Sequence, residues 1–156
     1  MNTNTNTNTN ANANSKQWID RYIAAYFDVT KHLFADIREA IQEELTPEQF
    51  QILLFISECR RCNPTELADA FLVGKSSITA IITRLADRGI IDRTRDESDR
   101  RQVYLSLTPR GESVLKEAEQ KVQDMVSSYL VHFEEQEVEA FISTFEKLAY
   151  LIRREE

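Results

Sequence analysis

Between Lys75 and Arg101 the chain gathers side chains suited to touching a nucleic acid. Ser76, Ser77, Ala80, Thr83 and Arg84 recur at helical spacing, with Lys75 ahead of them and Thr79 among them. All are small or able to hydrogen-bond, as a helix entering a DNA major groove requires. Short hydroxyls reach base edges, while Lys and Arg meet phosphate. The loop Asp96-Glu97-Ser98-Asp99-Arg100-Arg101 follows. Its arginines, Arg101 above all, have the charge and reach to enter a minor groove at the flank. Each half of the pattern also has a plainer explanation: a small-residue face suits packing or solvent, and a charged loop suits a solvated hairpin tip. Their order and spacing tie them together.

A second constellation is Cys59-Arg60-Arg61-Cys62. Two thiols at this spacing can close a reversible disulfide, and flanking arginines lower a thiol pKa by stabilising thiolate. The alternative is that Cys59 packs as a small hydrophobe and Cys62 lies idle in a loop. No thioredoxin-like strand-helix-strand pattern surrounds the pair. Two cysteines cannot supply a four-cysteine zinc site, and the two histidines, His32 and His132, are far apart. No metal site and no cofactor are therefore expected. The sequence contains no GxxxxGK[ST], no HExxH and no nucleophile elbow, so no catalytic residue is assigned and an enzyme is not expected.

The elements that must position these residues are legible. Asn63-Pro64-Thr65-Glu66 opens a short helix with a cap, a first-position proline and a returning Glu. Leu67, Ala68 and Phe71 form its apolar face, and Gly74 is expected to break it. The next helix runs from Lys75 to about Arg88, with Ile78, Ile81, Ile82 and Leu85 on its buried stripe. Gly89 ends it. Two apolar-rich segments, Ile90 to Arg95 and Val103 to Leu107, flank the charged loop as a hairpin. The sum is a winged helix-turn-helix.

The run from Leu45 to Gly111 resembles the multiple-antibiotic-resistance regulator (MarR) family of bacterial transcription factors. The matching pieces, in family order, begin with Leu45-Thr46-Pro47-Glu48-Gln49-Phe50-Gln51-Ile52-Leu53, Thr65-Glu66-Leu67-Ala68 and Lys75-Ser76-Ser77-Ile78-Thr79. Arg84-Leu85-Ala86-Asp87-Arg88-Gly89-Ile90-Ile91, the wing signature Asp96-x-x-Asp99-Arg100-Arg101 and Leu107-Thr108-Pro109-Arg110-Gly111 complete them. The resemblance implies a homodimeric regulator, a repressor, that places two helices in successive major grooves of a pseudo-palindromic operator. It implies that Asp99 holds a wing or helix arginine in place. It also implies release by a small aromatic ligand, with Tyr22, Tyr26, Phe27, Phe50 and Phe55 as candidate lining residues, each equally explained as core. Some members sense redox state through cysteines, which keeps Cys59 and Cys62 in view.

At 156 residues, with 42% hydrophobic and 29% charged content, the chain has the balance of an ordinary soluble protein. No apolar run approaches the ~20 residues of a membrane span, and the N-terminus is polar and uncharged, so no membrane partner and a cytoplasmic location are expected. The net charge is −7, yet Lys75 to Arg101 holds seven basic and five acidic residues, a local +2 against −9 for the remainder. An acidic body with a basic head orients itself on DNA. The weak contrast also suits a rival: a dimeric winged-helix adaptor whose head binds protein and not DNA.

Residues 1–14, mostly Asn alternating with Thr or Ala, are expected to form a disordered low-complexity tail. Residues 15–156 then form a single domain that is mainly α with a small β-hairpin wing, its reading lobe over 46–108. Residues 15–45 and 109–156 supply the dimerisation helices. The first helix, Ser15 to Glu43, carries a stripe including Trp18, Tyr22, Tyr26 and Phe27 that is wider than one monomer needs. Thr46-Pro47-Glu48-Gln49 opens the next as a capping box, running to about Arg60. Thr108-Pro109 opens a long helix through Val114, Leu115, Ala118 and Val122 to Phe133. A last one starts near Glu135, with Phe141, Phe145 and Leu148. Such stripes commonly pair two copies.

Overall fold

All three prolines of the chain stand at the first position of a helix, each behind a residue whose side chain caps it. Proline lacks the N–H that a first turn could not use, and its fixed φ already suits a helix. Thr46 Oγ1 accepts from Gln49 N–H at 3.3 Å while Gln49 Oε1 accepts from Thr46 N–H at 3.1 Å. Asn63 and Glu66 make the same reciprocal box, with Asn63 N–H donating to Glu66 Oε2 at 2.9 Å. Thr108 Oγ1 accepts from Gly111 N–H at 2.9 Å.

The computed structural model describes residues 6–59, 61–97, 99 and 102–153, with side chains from residue 14 onward. The elements are α1 (Asn6–Ile41), α2 (Pro47–Glu58), α3 (Pro64–Ala70), α4 (Lys75–Asp87), β1 (Ile91–Arg95), β2 (Val103–Leu107), α5 (Pro109–Leu130) and α6 (Glu135–Arg153). Strands β1 and β2 pair antiparallel, with Ile91 opposite Leu107 and Arg95 opposite Val103. This is the winged helix-turn-helix within a mainly α chain. Among the described residues no helix is long and apolar enough to cross a membrane.

The start of α1 differs from expectation. Its backbone is helical from Asn6, so the Asn/Thr/Ala tract is not an unstructured tail over residues 6–14. Nucleation is the costly step of helix formation, and extension adds one hydrogen bond per residue fixed. With no Gly or Pro before Pro47, nothing in the tract stops a helix begun downstream.

Residues 1–39 and 40–156 form two compact units. In the first, Tyr22 stacks on Tyr26 with centroids 6.0 Å apart, and Tyr26 meets Phe27 edge-on at 5.6 Å. All three are exposed, as is Trp18. The second holds a core that includes Ile41, Leu53, Leu67, Ile78, Leu85 and Ile90. Helix α5 is buried only at Gly111, Val114, Leu115 and Ala118, and α6 has no buried residue.

Both helices of the helix-turn-helix end on a left-handed residue. For α4 it is Gly89, at φ +66, with Ile90 N–H donating to Leu85 O at 2.9 Å. For α3 it is Leu72, at φ 51, with Val73 N–H donating to Ala68 O at 3.1 Å. The break expected at Gly74 thus falls two residues earlier, on a leucine that is 76% exposed. Gly74 instead has ordinary extended geometry as the first residue of the α4 cap.

Gly111 is fixed by space. A Cβ there would meet the carbonyl oxygen of Ile90 at 2.0 Å and its carbon at 3.0 Å, both backbone atoms that cannot step aside cheaply. Gly111→Ala is therefore expected to destabilise the protein by about 1–3 kcal/mol or more, as overpacking of a fixed site does. Urea denaturation checks it. A midpoint equal to the wild type would mean that α5 can retreat freely.

Candidate nucleic-acid interface

Helix α4 separates its two faces as its sequence requires. Ile78, Ile82 and Leu85 are buried and Ile81 is half-buried, whereas Lys75, Ser76, Ser77, Thr79, Ala80, Thr83 and Arg84 are all exposed. The structure therefore brings every candidate on this helix to solvent on one side. Gly74 gives its N-terminus no side-chain cap. The positive end of the helix dipole is left available to an anion such as phosphate.

The hydroxyls on this face are not equivalent. Thr79 Oγ1 donates to Lys75 O at 2.7 Å and Thr83 Oγ1 donates to Thr79 O at 2.8 Å, both back-bonded to their own helix. Arg93 Nη2 on β1 donates to Thr83 Oγ1 at 2.9 Å. The Thr83 hydroxyl is thus engaged inside the head. Arg93, which joins wing to recognition helix, is not apparent in the sequence reading.

Arg100 and Arg101, the arginines expected to enter the minor groove, lie outside the described residues. The wing around them is held by Asp96. Its Oδ1 accepts from Asp99 N–H at 3.2 Å and its Oδ2 pairs with Arg61 Nη2 at 3.3 Å. Its own N–H donates to Gln102 O at 3.0 Å. Asp99 O accepts from Gln102 N–H at 2.9 Å, so Asp99 shapes the loop as well. The Arg61 guanidinium also lies over the Tyr104 ring, 4.5 Å from its centroid. Asp96 and Arg61 are 35 residues apart, and no local pattern announces the pair.

At the opposite end of α4, Arg88 Nη2 donates to Glu44 O at 2.6 Å and pairs with Glu44 Oε2 at 3.2 Å. This clamps the helix to the segment before α2.

The two cysteines sit in different surroundings. Cys59 caps the end of α2 and is half-buried; Cys62 is fully buried. Burial pushes the Cys62 thiol up to about 12, and the neighbouring Cys59 and Glu66 push in the same direction. Desolvation disfavours the thiolate, and the Arg61 side chain stands largely in solvent.

The candidate ligand-lining residues are dispersed in role. Tyr22, Tyr26 and Phe27 are exposed on α1, Phe50 is in the core of the second unit, and Phe55 packs edge-on against Phe71 at 5.9 Å. The second unit carries an open cleft of about 350 Å³, lined by residues including Ile56, Cys59, Leu105, Glu112 and Leu115. None of the five aromatics lines it. His32 is exposed and its Nδ1 lies 2.9 Å from Asp28 O of its own helix.

Residues 45–103 match the model of the MarR family. The chain is 31% identical over 120 residues to the HTH-type transcriptional regulator YpoP of Bacillus subtilis, covering 77% of this chain and 85% of that one. It is 27% identical to the HTH-type transcriptional repressor YetL of the same organism, over 78% of this chain and 72% of YetL. Among solved structures, a MepR-like protein complexed with pseudoligands superposes with a TM-score of 0.59 at 34% identity, covering 86% of this chain and 95% of that one.

The thiol environment makes a testable statement about pH. Alkylation of the native protein at neutral pH is expected to label Cys59 well before Cys62. Below a pKa of about 12 the thiolate fraction of Cys62 grows about tenfold per pH unit, so its labelling rate should climb steadily from pH 7 to 9. Peptide mass spectrometry reads both sites. Equal rates at pH 7 would show that Cys62 is neither buried nor raised.

Proposed function

The chain belongs to the MarR family of DNA-binding transcriptional regulators, and from that premise we propose that it acts as a homodimeric repressor on a pseudo-palindromic operator. One observation carries this reading: the exposed polar face of α4 lies opposite a fully buried stripe and is tied to a two-stranded wing. Two such helices, one per protomer, fit successive major grooves about one helical turn apart. In this reading Lys75 meets phosphate at the helix N-terminus, Ser76, Ser77 and Thr79 face base edges or adjacent phosphates, and Arg84 reaches the backbone. Thr83 contributes van der Waals contact, since its hydroxyl is engaged. Arg101, with Arg100 beside it, enters the flanking minor groove, and Asp99 steadies an arginine.

Dimerisation follows from the stripes left uncovered in one chain. Phe141, Phe145, Tyr150 and Ile152 of α6 are exposed, as are Trp18 and Phe27 of α1. Apolar faces of this size cost too much to leave in water. Repression is supported by the likeness to the repressor YetL. The likeness to the MepR-like protein complexed with pseudoligands supports a small molecule as the releasing signal, read directly as loss of the operator complex when small aromatic compounds are added.

Removing residues 134–156 is expected to give monomer or aggregate by light scattering. A well-behaved dimer after that truncation would move the interface elsewhere.

The wing and the helix should fail differently on DNA. Arg101→Ala is expected to weaken operator and random duplex alike and to flatten the salt dependence, because a groove-inserted cation acts through phosphate charge and groove width. Ser77→Ala should cost about 1–3 kcal/mol against the operator and much less against random DNA. Ser77 is exposed, so its melting curve should hold within about 0.5 kcal/mol. Affinities at several salt concentrations decide the matter. If neither variant changes binding, the head does not read DNA through these residues.

A further inference from the structure

We propose that Cys59, Cys62 and Glu66 form a binding site for a soft divalent cation of the zinc class, which fastens the wing to the end of α2. The Sγ atoms of both cysteines and one carboxylate oxygen of Glu66 all lie within 4.8 Å of one another. Ligands of one tetrahedral zinc ion stand somewhat closer, because Zn–S is about 2.3 Å and Zn–O about 2.0–2.2 Å, so modest side-chain rotation closes the set. Two sulfurs select thiophilic ions over magnesium or calcium, and three protein ligands leave a fourth position for water. Sequence spacing offered only the two thiols; the turn into α3 brings the third donor.

Each donor is held by a different element. Cys59 is the C-cap of α2, its N–H donating to Phe55 O at 3.1 Å. Cys62 is fixed by an isolated bridge to β2, where Leu105 N–H donates to Cys62 O at 2.7 Å. Glu66 is oriented by the α3 capping box, which occupies Oε2 and leaves the second oxygen of the carboxylate for an ion. The site thus needs little ordering. Cys59 also lines the open cleft beside β2.

Binding is balanced by proton release. As two S–M bonds form, two S–H protons leave to solvent, so the cluster holds one net negative charge before and after: one carboxylate first, then two thiolates and one carboxylate around a dication. The ion therefore acts through position and leaves the charge of the reading face unchanged. Position is transmitted through the Cys62–Leu105 bridge, and through Arg61, which lies between the two cysteines and holds Asp96 and Tyr104 of the wing.

The test uses the full, reduced chain with Cd2+ as spectroscopic probe and Zn2+ as competitor; it involves no DNA, so it stands or falls apart from the operator reading. One Cd2+ per chain with an ultraviolet thiolate-to-metal band, displaced by Zn2+, is expected. Cys59→Ser should abolish the band. Glu66→Gln keeps the helix cap, because glutamine fills the same box, and should weaken Zn2+ at least about tenfold. Zn2+ should slow hydrogen exchange of the Leu105 amide in the wild type and leave it unchanged in Glu66→Gln. No band, half a metal per chain, affinity indifferent to Glu66, or a Leu105 amide blind to Zn2+ would each overturn the proposal.

Discussion

Two backbones of the reading head pass too close for a side chain at Gly111, which faces the carbonyl of Ile90. Thr108 sits over the same point. Its hydroxyl donates to Gly89 O at 2.7 Å and accepts from Gly111 N–H, and its own N–H donates to Ile90 O at 3.1 Å. Arg110 Nη1 adds a bond to Arg88 O at 3.0 Å. The end of α4, the roots of both strands and the first turn of α5 therefore converge on a few atoms. Since Gly89 reverses the chain directly before them, the wing can leave α4 in only one direction. The angle between recognition helix and hairpin follows from this knot.

Beyond the root, the wing is held by polar ties. Arg93 reaches Thr83 on one side, and Arg61 reaches Asp96 and Tyr104 on the other. Arg61 is largely in solvent, whereas the Asp96 side chain is mostly buried. Their effect is on where the hairpin lies. Strand β2 is held further by the buried Leu105 and its bridge to Cys62.

The parts legible in sequence were those whose physics is local. The three cap-and-proline starts declare themselves within four residues, and the buried stripe of α4 within three turns. Leu72 was not legible, because a leucine in left-handed geometry runs against its own preference and the nearby Gly74 is the more natural break. The helical backbone of residues 6–14 was missed because composition argues against nucleation but not against extension. Arg61 with Asp96, and Arg88 with Glu44, are separated by 35 and 44 residues, so only tertiary structure pairs them. The state of the Cys62 thiol turns on burial, which the residues beside it in sequence do not reveal. Glu66 was read as a cap, which it is; its place beside two sulfurs depends on the path of the intervening turn.

The distribution of burial along α5 and α6 has a consequence for the order in which the protein is made. The knot closes between residues 85 and 111, and α5 buries nothing after Ala118. Contacts this local form quickly, so the head can close as soon as the first three turns of α5 leave the ribosome. Synthesis at about 5–20 residues per second then leaves a few seconds before α6 is complete. Throughout that interval the aromatic side chains of α1 are in water, as they are in the finished chain. The reading head is thus complete before the last helix of the chain has been made.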